Sequence, residues 1–250
     1  AELDGALETE QVTNASGDYL IIDTVEGLNA LVDEINEAQG LAIEIVTAST
    51  DYMIGGIVGI AIATRCGRGA YLPIGHQPPE QLDRDIVLGQ LGPLLEDDRL
   101  PKTGHNLKFQ QNVLALDDVA LKGVSNDTML QSYVIDSVGS RGHKLEDVVA
   151  KYSDTLLTPL DSVIGKGKKR VPWSAVEVEA ACQYAAERAD AVLQLDQNLR
   201  KQLEARPSLV PVYKELELPL MEVLSEMERT GTLIDAAMLE EQSNELSERM

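Results

Sequence analysis

Apolar spacing divides this chain into a strand-rich first half and a helical second half. Tyr19-Leu20-Ile21-Ile22 is a short apolar run of strand type. Thr24 then stands at a helix-cap position, and Leu28, Leu31, Val32 and Ile35 recur at helical spacing as far as about Ala38. Residues 41–46 form an apolar run of buried-strand length, and residues 56–64 (GIVGIAIAT) a second. Residues 70–74 give a third, joined to the second through Cys66-Gly67-Arg68-Gly69, which reads as a hairpin turn. Pro78-Pro79 breaks the pattern before a helix over about 83–95, and residues 101–105 read as one more short strand.

Helical periodicity dominates from there. It predicts helices over 106–116, 127–137 and 144–152, and a long one from Ser174 to about Leu203 whose start Pro172 and Ser174 mark. Another starts after Pro207 and runs through Leu216 to Met227, where Arg229-Thr230-Gly231-Thr232 ends it. Residues 235–250 open an amphipathic helix. The expected fold class is α/β: a mixed sheet flanked by helices, with a helical C-terminal extension. Residues 1–17 are small, acidic and aperiodic, and read as a flexible acidic linker. A start without Met and a helix cut at Met250 suggest a piece of something longer.

Charge narrows the choice of partners. Forty-two acids against 21 bases give a net charge of −21, which repels phosphate over most of the surface. Such acidity suits either a solubility adaptation or a chain whose bulk does not touch nucleic acid. The one basic cluster is Gly165-Lys166-Gly167-Lys168-Lys169-Arg170, readable as a solvated loop or as a phosphate contact. Cys66 and Cys182 are far apart and have no metal-ligand spacing, as expected of reduced thiols. His76, His105 and His143 share no metal-site spacing either. No apolar run reaches the ~18–20 residues of a membrane span, and AELDGALETEQ lacks the regions of a signal peptide, so a cytoplasmic location and no membrane partner are expected.

Three segments carry the chemistry of interest. They are Ala42-Ile43-Glu44-Ile45-Val46-Thr47, Gly104-His105-Asn106-Leu107-Lys108-Phe109-Gln110, and Tyr184-Ala185-Ala186-Glu187-Arg188. In order and spacing they resemble the motifs of the proofreading 3′→5′ exonuclease domain of the bacterial DNA polymerase I family. The Asn126-Asp127-Thr128-Met129-Leu130 run, Gly165-Lys166-Gly167-Lys168, and Leu216-Glu217-Leu218-Pro219-Leu220 with Met227-Glu228-Arg229-Thr230-Gly231 extend the resemblance over roughly 18–250. It implies an RNase H-like exonuclease domain over 18–205, and a truncated beginning of the polymerase (thumb) domain over 206–250. It also implies DNA as partner and a polymerase domain in cis, in a monomer that uses Mg²⁺ at the polymerase site.

The same resemblance shows what is missing. Two-metal phosphodiester hydrolysis needs about four carboxylates around ions ~3.5–4 Å apart. Where the family has Asp, Glu, Asp and Asp, this chain has Glu44, Val46, Gln110 and Arg188. Only Tyr184 matches, at the water-orienting tyrosine. Thr50 stands where the family has a wedging Leu, and Leu160 near a usual aromatic. A cation at a metal position costs about 4 kcal/mol per unit like charge at ~4 Å and an effective dielectric of ~20.

No intact catalytic set and no metal cofactor are therefore expected in this domain. Arg188 is expected to pair with Glu44 and fill the vacated site. Nearby acids offer no replacement: Asp127 reads as a helix cap, Asp190 lies roughly 200° round the helix from Arg188, and Glu187 is one residue off. Asn106, Lys108, Arg141, Lys166 and Lys168 remain as candidate nucleic-acid contacts. Asn106 also reads as an N-cap, and Lys108 and Arg141 as surface charges. The expected role is a non-proofreading scaffold for a polymerase domain. The alternatives are an exonuclease with an altered metal site, or a module that kept single-strand affinity.

Overall fold

The computed structural model describes residues 13–14, 17–77, 81–138, 142–153 and 155–250. A six-stranded mixed sheet forms the centre, in the order β2 (Asp18–Ile21), β5 (Arg68–Pro73), β4 (Ile57–Arg65), β3 (Leu41–Thr47), β6 (Lys102–Gly104) and β7 (Val124–Asp127). β3, β4 and β5 pair antiparallel as a meander. β2 joins β5 in parallel, and β6 and β7 extend the other edge in parallel. Within the N-terminal arm, β1 (Thr13–Asn14) pairs in parallel with β8 (Thr155–Leu156). The rest of that arm before Gly17, like Pro78-Pro79 and Arg141, lies outside the described residues.

Alternation along the strands sends side chains to two cores. Leu41, Ile43 and Ile45 of β3 face one core with α1 (Val25–Glu37), α2 (Arg84–Leu95) and α3 (Leu107–Ala115). Ala42 and Val46 face the other with α5 (Leu145–Tyr152), α6 (Leu160–Ile164) and α7 (Val178–Glu204). Glu44 shares the parity of Ala42 and Val46, so it looks toward α7. Ala181, Ala185, Ala186 and Ala189 let the long helix lie close on the sheet. At Gly69 the approach is tightest: a Cβ there would meet both Cβ and O of Ala186 at 2.9 Å.

Helix starts follow local chemistry. Thr24 Oγ1 accepts from the Gly27 amide at 3.2 Å, and Asp83 accepts from the Asp85 amide at 2.8 Å. Asn106 does not act as the N-cap expected of it. Its backbone is left-handed, at φ 58° and ψ 52°, and its side chain makes no capping bond. Asp127 does this work for two helices at once. Its buried carboxylate accepts from the amides of Asn106 (3.2 Å) and Leu107 (2.7 Å) of α3, and of Met129 (2.8 Å) and Leu130 (3.3 Å) of α4 (Thr128–Ile135). Burial raises its pKa, and the four donors pull against that rise.

The C-terminal helices are α8 (Leu209–Pro211), a π-helical turn (Val212–Glu217), α9 (Leu218–Thr230) and α10 (Ala236–Arg249). Tyr213 of the π turn is buried, and its Oη accepts from the Asp127 amide at 2.9 Å. Met221 enters the first core. Ser225 Oγ donates to Asn112 Oδ1 at 2.6 Å, and Asn112 Nδ2 donates to Glu228 Oε2 at 3.0 Å. The α10 side chains are exposed.

Candidate active-site cleft

A cleft of about 480 Å³ opens between the ends of β3 and α3 and the helices α5 and α7. Glu44, Gln110, Tyr184 and Arg188 line it, with Thr50 and Asn106 at other points on its wall. Residues far apart in sequence therefore do converge here. Val46 does not join them: its side chain is buried in the second core. Lys108 is outside the lining, and its ammonium pairs with Glu228 of α9. Lys166 and Lys168 stand on an exposed loop away from the cleft, with Lys166 Nζ 3.6 Å from Asp161.

Each acid of the neighbourhood has a definite environment. Glu44 Oε2 accepts from Gln110 Nε2 at 3.2 Å, and that same amide donates to the His105 carbonyl at 3.1 Å. Gln110 Oε1 is buried without a partner. Burial pushes the Glu44 carboxyl up to about 7; the charge of Glu146 adds to this, while Arg188 and the Gln110 amide oppose it. Asp190 looks elsewhere, accepting from Tyr19 Oη at 3.1 Å and the Gly67 amide at 2.8 Å. Glu187 accepts from the Thr158 amide at 2.9 Å. Neither lines the cleft.

Arg188 is the centre of the arrangement. Its side chain is only 4% exposed, and its Nη2 pairs with Glu146 of α5. The expected pairing with Glu44 is thus corrected. Glu146 approaches from the cleft mouth, 42 residues back in sequence, whereas Glu44 lies beyond ion-pair distance. Arg188 Nη1 has no partner. The guanidinium carbon sits 3.8 Å from the centroid of the Tyr184 ring, whose other neighbour is Trp173 at 5.0 Å between centroids. Tyr184 therefore contacts both a cation and a second aromatic ring tilted 52° to its own. Burial pushes its phenol up to about 12. His105 contacts Thr128 Oγ1 and the His143 carbonyl, each at 2.9 Å, and burial drives its pKa down to about 4.

These donors do not fit a pair of hard divalent cations. Two carboxylates, Glu44 and the already ion-paired Glu146, and one amide carbonyl, Gln110 Oε1, surround a buried guanidinium, and Val46 supplies no oxygen. Among the described residues, no group of three or more His, Cys, Asp or Glu is placed to hold a metal. Sequence reasoning missed Glu146 and Glu228. An acid in a helix's first turn is ordinary, so nothing distinguishes Glu146 before its partner is seen.

A mixed sheet of this strand order, with a cleft between β3 and the long helix, defines an RNase H-like exonuclease-type domain. Its helix-flanked sheet is shared with Escherichia coli RNase D, at a TM-score of 0.65 and 19% identity over 84% of this chain and 51% of that one. A family model described as 3′-5′ exonuclease, of DNA polymerase A, matches residues 19–204, and the chain belongs to that family. It is 41% identical over 248 residues to DNA polymerase I of Pseudomonas aeruginosa, covering 97% of this chain and 27% of that protein. The POL domain of Pol1 from M. smegmatis, solved with DNA primer-template and dNTP, superposes with a TM-score of 0.70 and 26% identity. That match covers 92% of this chain and 35% of the other. The chain spans about a quarter of the length of the curated relatives it matches. Among the described residues no helix is long and apolar enough to cross a membrane.

Proposed function

We propose that this chain is the exonuclease-like part of a DNA polymerase I-type protein, and that its cleft does not hydrolyse DNA. The buried Arg188 guanidinium, paired with Glu146 and stacked on Tyr184 in the cleft, carries this reading. Its role is to support the polymerase part of the same protein. The contacts of Tyr213, Met221, Ser225 and Glu228 with the sheet and α3 give α9 a fixed seat for that purpose. On this reading residues 18–205 are the exonuclease-like unit, and residues 206–250 begin the thumb. The parent protein is a cytoplasmic monomer that synthesises DNA with Mg²⁺ at its polymerase site. Lys166 and Lys168, on an exposed loop, are then the candidate phosphate contacts of this part; Lys108 is paired with Glu228, and the pairing of Lys166 with Asp161 is the more solvent-exposed of the two.

A 5′-labelled single-stranded oligonucleotide incubated with the chain and Mg²⁺ or Mn²⁺ tests the reading. No shortening from the 3′ end is expected over the background of a blank. Turnover that disappears in Glu44→Ala would overturn it and favour an exonuclease with an altered metal site.

A further inference from the structure

A second cavity, of about 270 Å³, lies outside the cleft, where the last turns of α7 meet the π-helical turn and the edge strand β7. Small-ligand pockets begin at about this size, ~300 Å³. Leu203, Val210 and Tyr213 give it an apolar side. Arg200 and Lys214 supply two cations and Glu204 one acid. The lining is thus net positive in a chain whose 42 acids face 21 bases. Arg200 pairs through Nη2 with the buried Asp196 and keeps 55% of its side chain exposed. Among the described residues Lys214 forms no ion pair.

Gln131 belongs to the same wall and is completely buried. Its Nε2 donates to Asp196 Oδ1 at 2.7 Å and to Asn126 Oδ1 at 3.3 Å. Both partners are acceptors, so the amide cannot turn over, and Oε1 is left buried without a donor. A buried acceptor left unmade is costly, and this one belongs to a residue that borders a cavity. The π-helical turn that brings Tyr213 and Lys214 into the lining is of a kind that recurs at functional sites.

We propose that this cavity binds a nucleotide whose base carries an exocyclic amino group. The amino group donates to Gln131 Oε1, the base lies along the apolar side, and the phosphate meets the Lys214 ammonium and the Arg200 guanidinium. Two cations alone would suit any anion. The orphaned acceptor and the apolar side narrow the class to a donor-bearing ring with an anionic end. The lining comes from both sides of residue 205, so a molecule held there touches the exonuclease-like unit and the helices that follow it.

The test is an amide NMR titration of the ¹⁵N-labelled chain with four probes: dAMP, deoxyadenosine, inorganic phosphate, and the deoxynucleotide of unsubstituted purine, which lacks the amino group. dAMP is expected to move the amides of Asn126, Gln131, Tyr213 and Lys214 and to bind with a dissociation constant of about 0.1–1 mM. Each of the other probes is expected to bind about tenfold or more weakly. Lys214→Glu is expected to weaken dAMP about tenfold, and Lys214→Arg to hold it within about threefold of wild type. Lys214 is exposed, so both variants are expected to melt as wild type does.

No saturable shift at these amides by about 5 mM dAMP overturns the proposal, as do shifts confined to cleft residues such as Glu44, Asn106 and Arg188. So does a Lys214→Glu variant that binds dAMP like wild type. Phosphate or the amino-free nucleotide binding as tightly as dAMP overturns the assignment to an amino-bearing nucleotide. None of the probes contains a phosphodiester, so every outcome leaves the question of hydrolysis in the cleft untouched.

Discussion

Glu44→Gln isolates the acid that the cleft keeps in a poor environment. The substitution removes a charge and leaves the side-chain length and one acceptor oxygen for Gln110 Nε2 in place. The sign follows from the shift. A carboxyl near 4.5 in the unfolded chain and near 7 in the fold holds its proton more tightly when folded. Its contribution is therefore neutral below the lower value and grows unfavourable as pH rises through the window between them. From pH 5 to pH 8 this difference amounts to about 2–3 kcal/mol of lost stability.

His105 works in the opposite direction. Its pKa is lowered to about 4, so its contribution is present above the ordinary histidine value and is lost as pH falls from about 6.5 toward 4. The two trends oppose one another near pH 5–6.5, and the wild-type profile alone is a blunt readout. The informative quantity is the unfolding free energy of Glu44→Gln minus that of wild type, from urea titrations at pH 5, 6, 7 and 8. It is expected to rise by about 2–3 kcal/mol across that range, with Glu44→Gln the more stable protein at pH 8. A difference that stays flat within error, or falls, would falsify the placement of an unpaired acid on the cleft floor.

Two further substitutions probe what holds the cleft in shape. Asp127→Ala removes the shared cap of α3 and α4, and at about 1 kcal/mol per cap, with buried amides left unpaired, should cost about 2–4 kcal/mol in chemical denaturation. Its loss should also free the α3 amides of Asn106 and Leu107 to hydrogen exchange; unchanged exchange there would contradict the shared-cap geometry. Gly69→Ala sets a methyl group 2.9 Å from both Cβ and O of Ala186, so α7 must shift, and a loss of about 1–3 kcal/mol is expected; a neutral melt would show the helix is not seated as described.

The strands of the meander were legible because apolar runs of strand length leave few alternatives, α1 because Thr24 stands where a cap belongs, and α2 because Pro78-Pro79 breaks the pattern ahead of it. β7 was not: Val124-Ser125-Asn126-Asp127 has no alternation, and it is a strand because its edge pairs with β6. The start of the long helix fell later than Ser174 suggested, at Val178, because Trp173–Ala175 forms a separate 3₁₀ turn. Convergence of Glu44, Gln110, Tyr184 and Arg188 followed from motif order. The partner of Arg188 did not, since a contact between residues 146 and 188 leaves no local trace. The same holds for Lys108, whose engagement depends on Glu228, 120 positions away.

The acid that keys α3 and α4 together, Asp127, makes none of its contacts with the groups at the cleft floor. Architecture and chemistry are thereby vested in different carboxylates. Residues at the cleft floor can therefore change while the starts of α3 and α4 stay anchored. Changes at the cleft floor and retention of the scaffold around it are compatible outcomes of one arrangement, because the residue that joins the two helix starts is not one of those that line the floor.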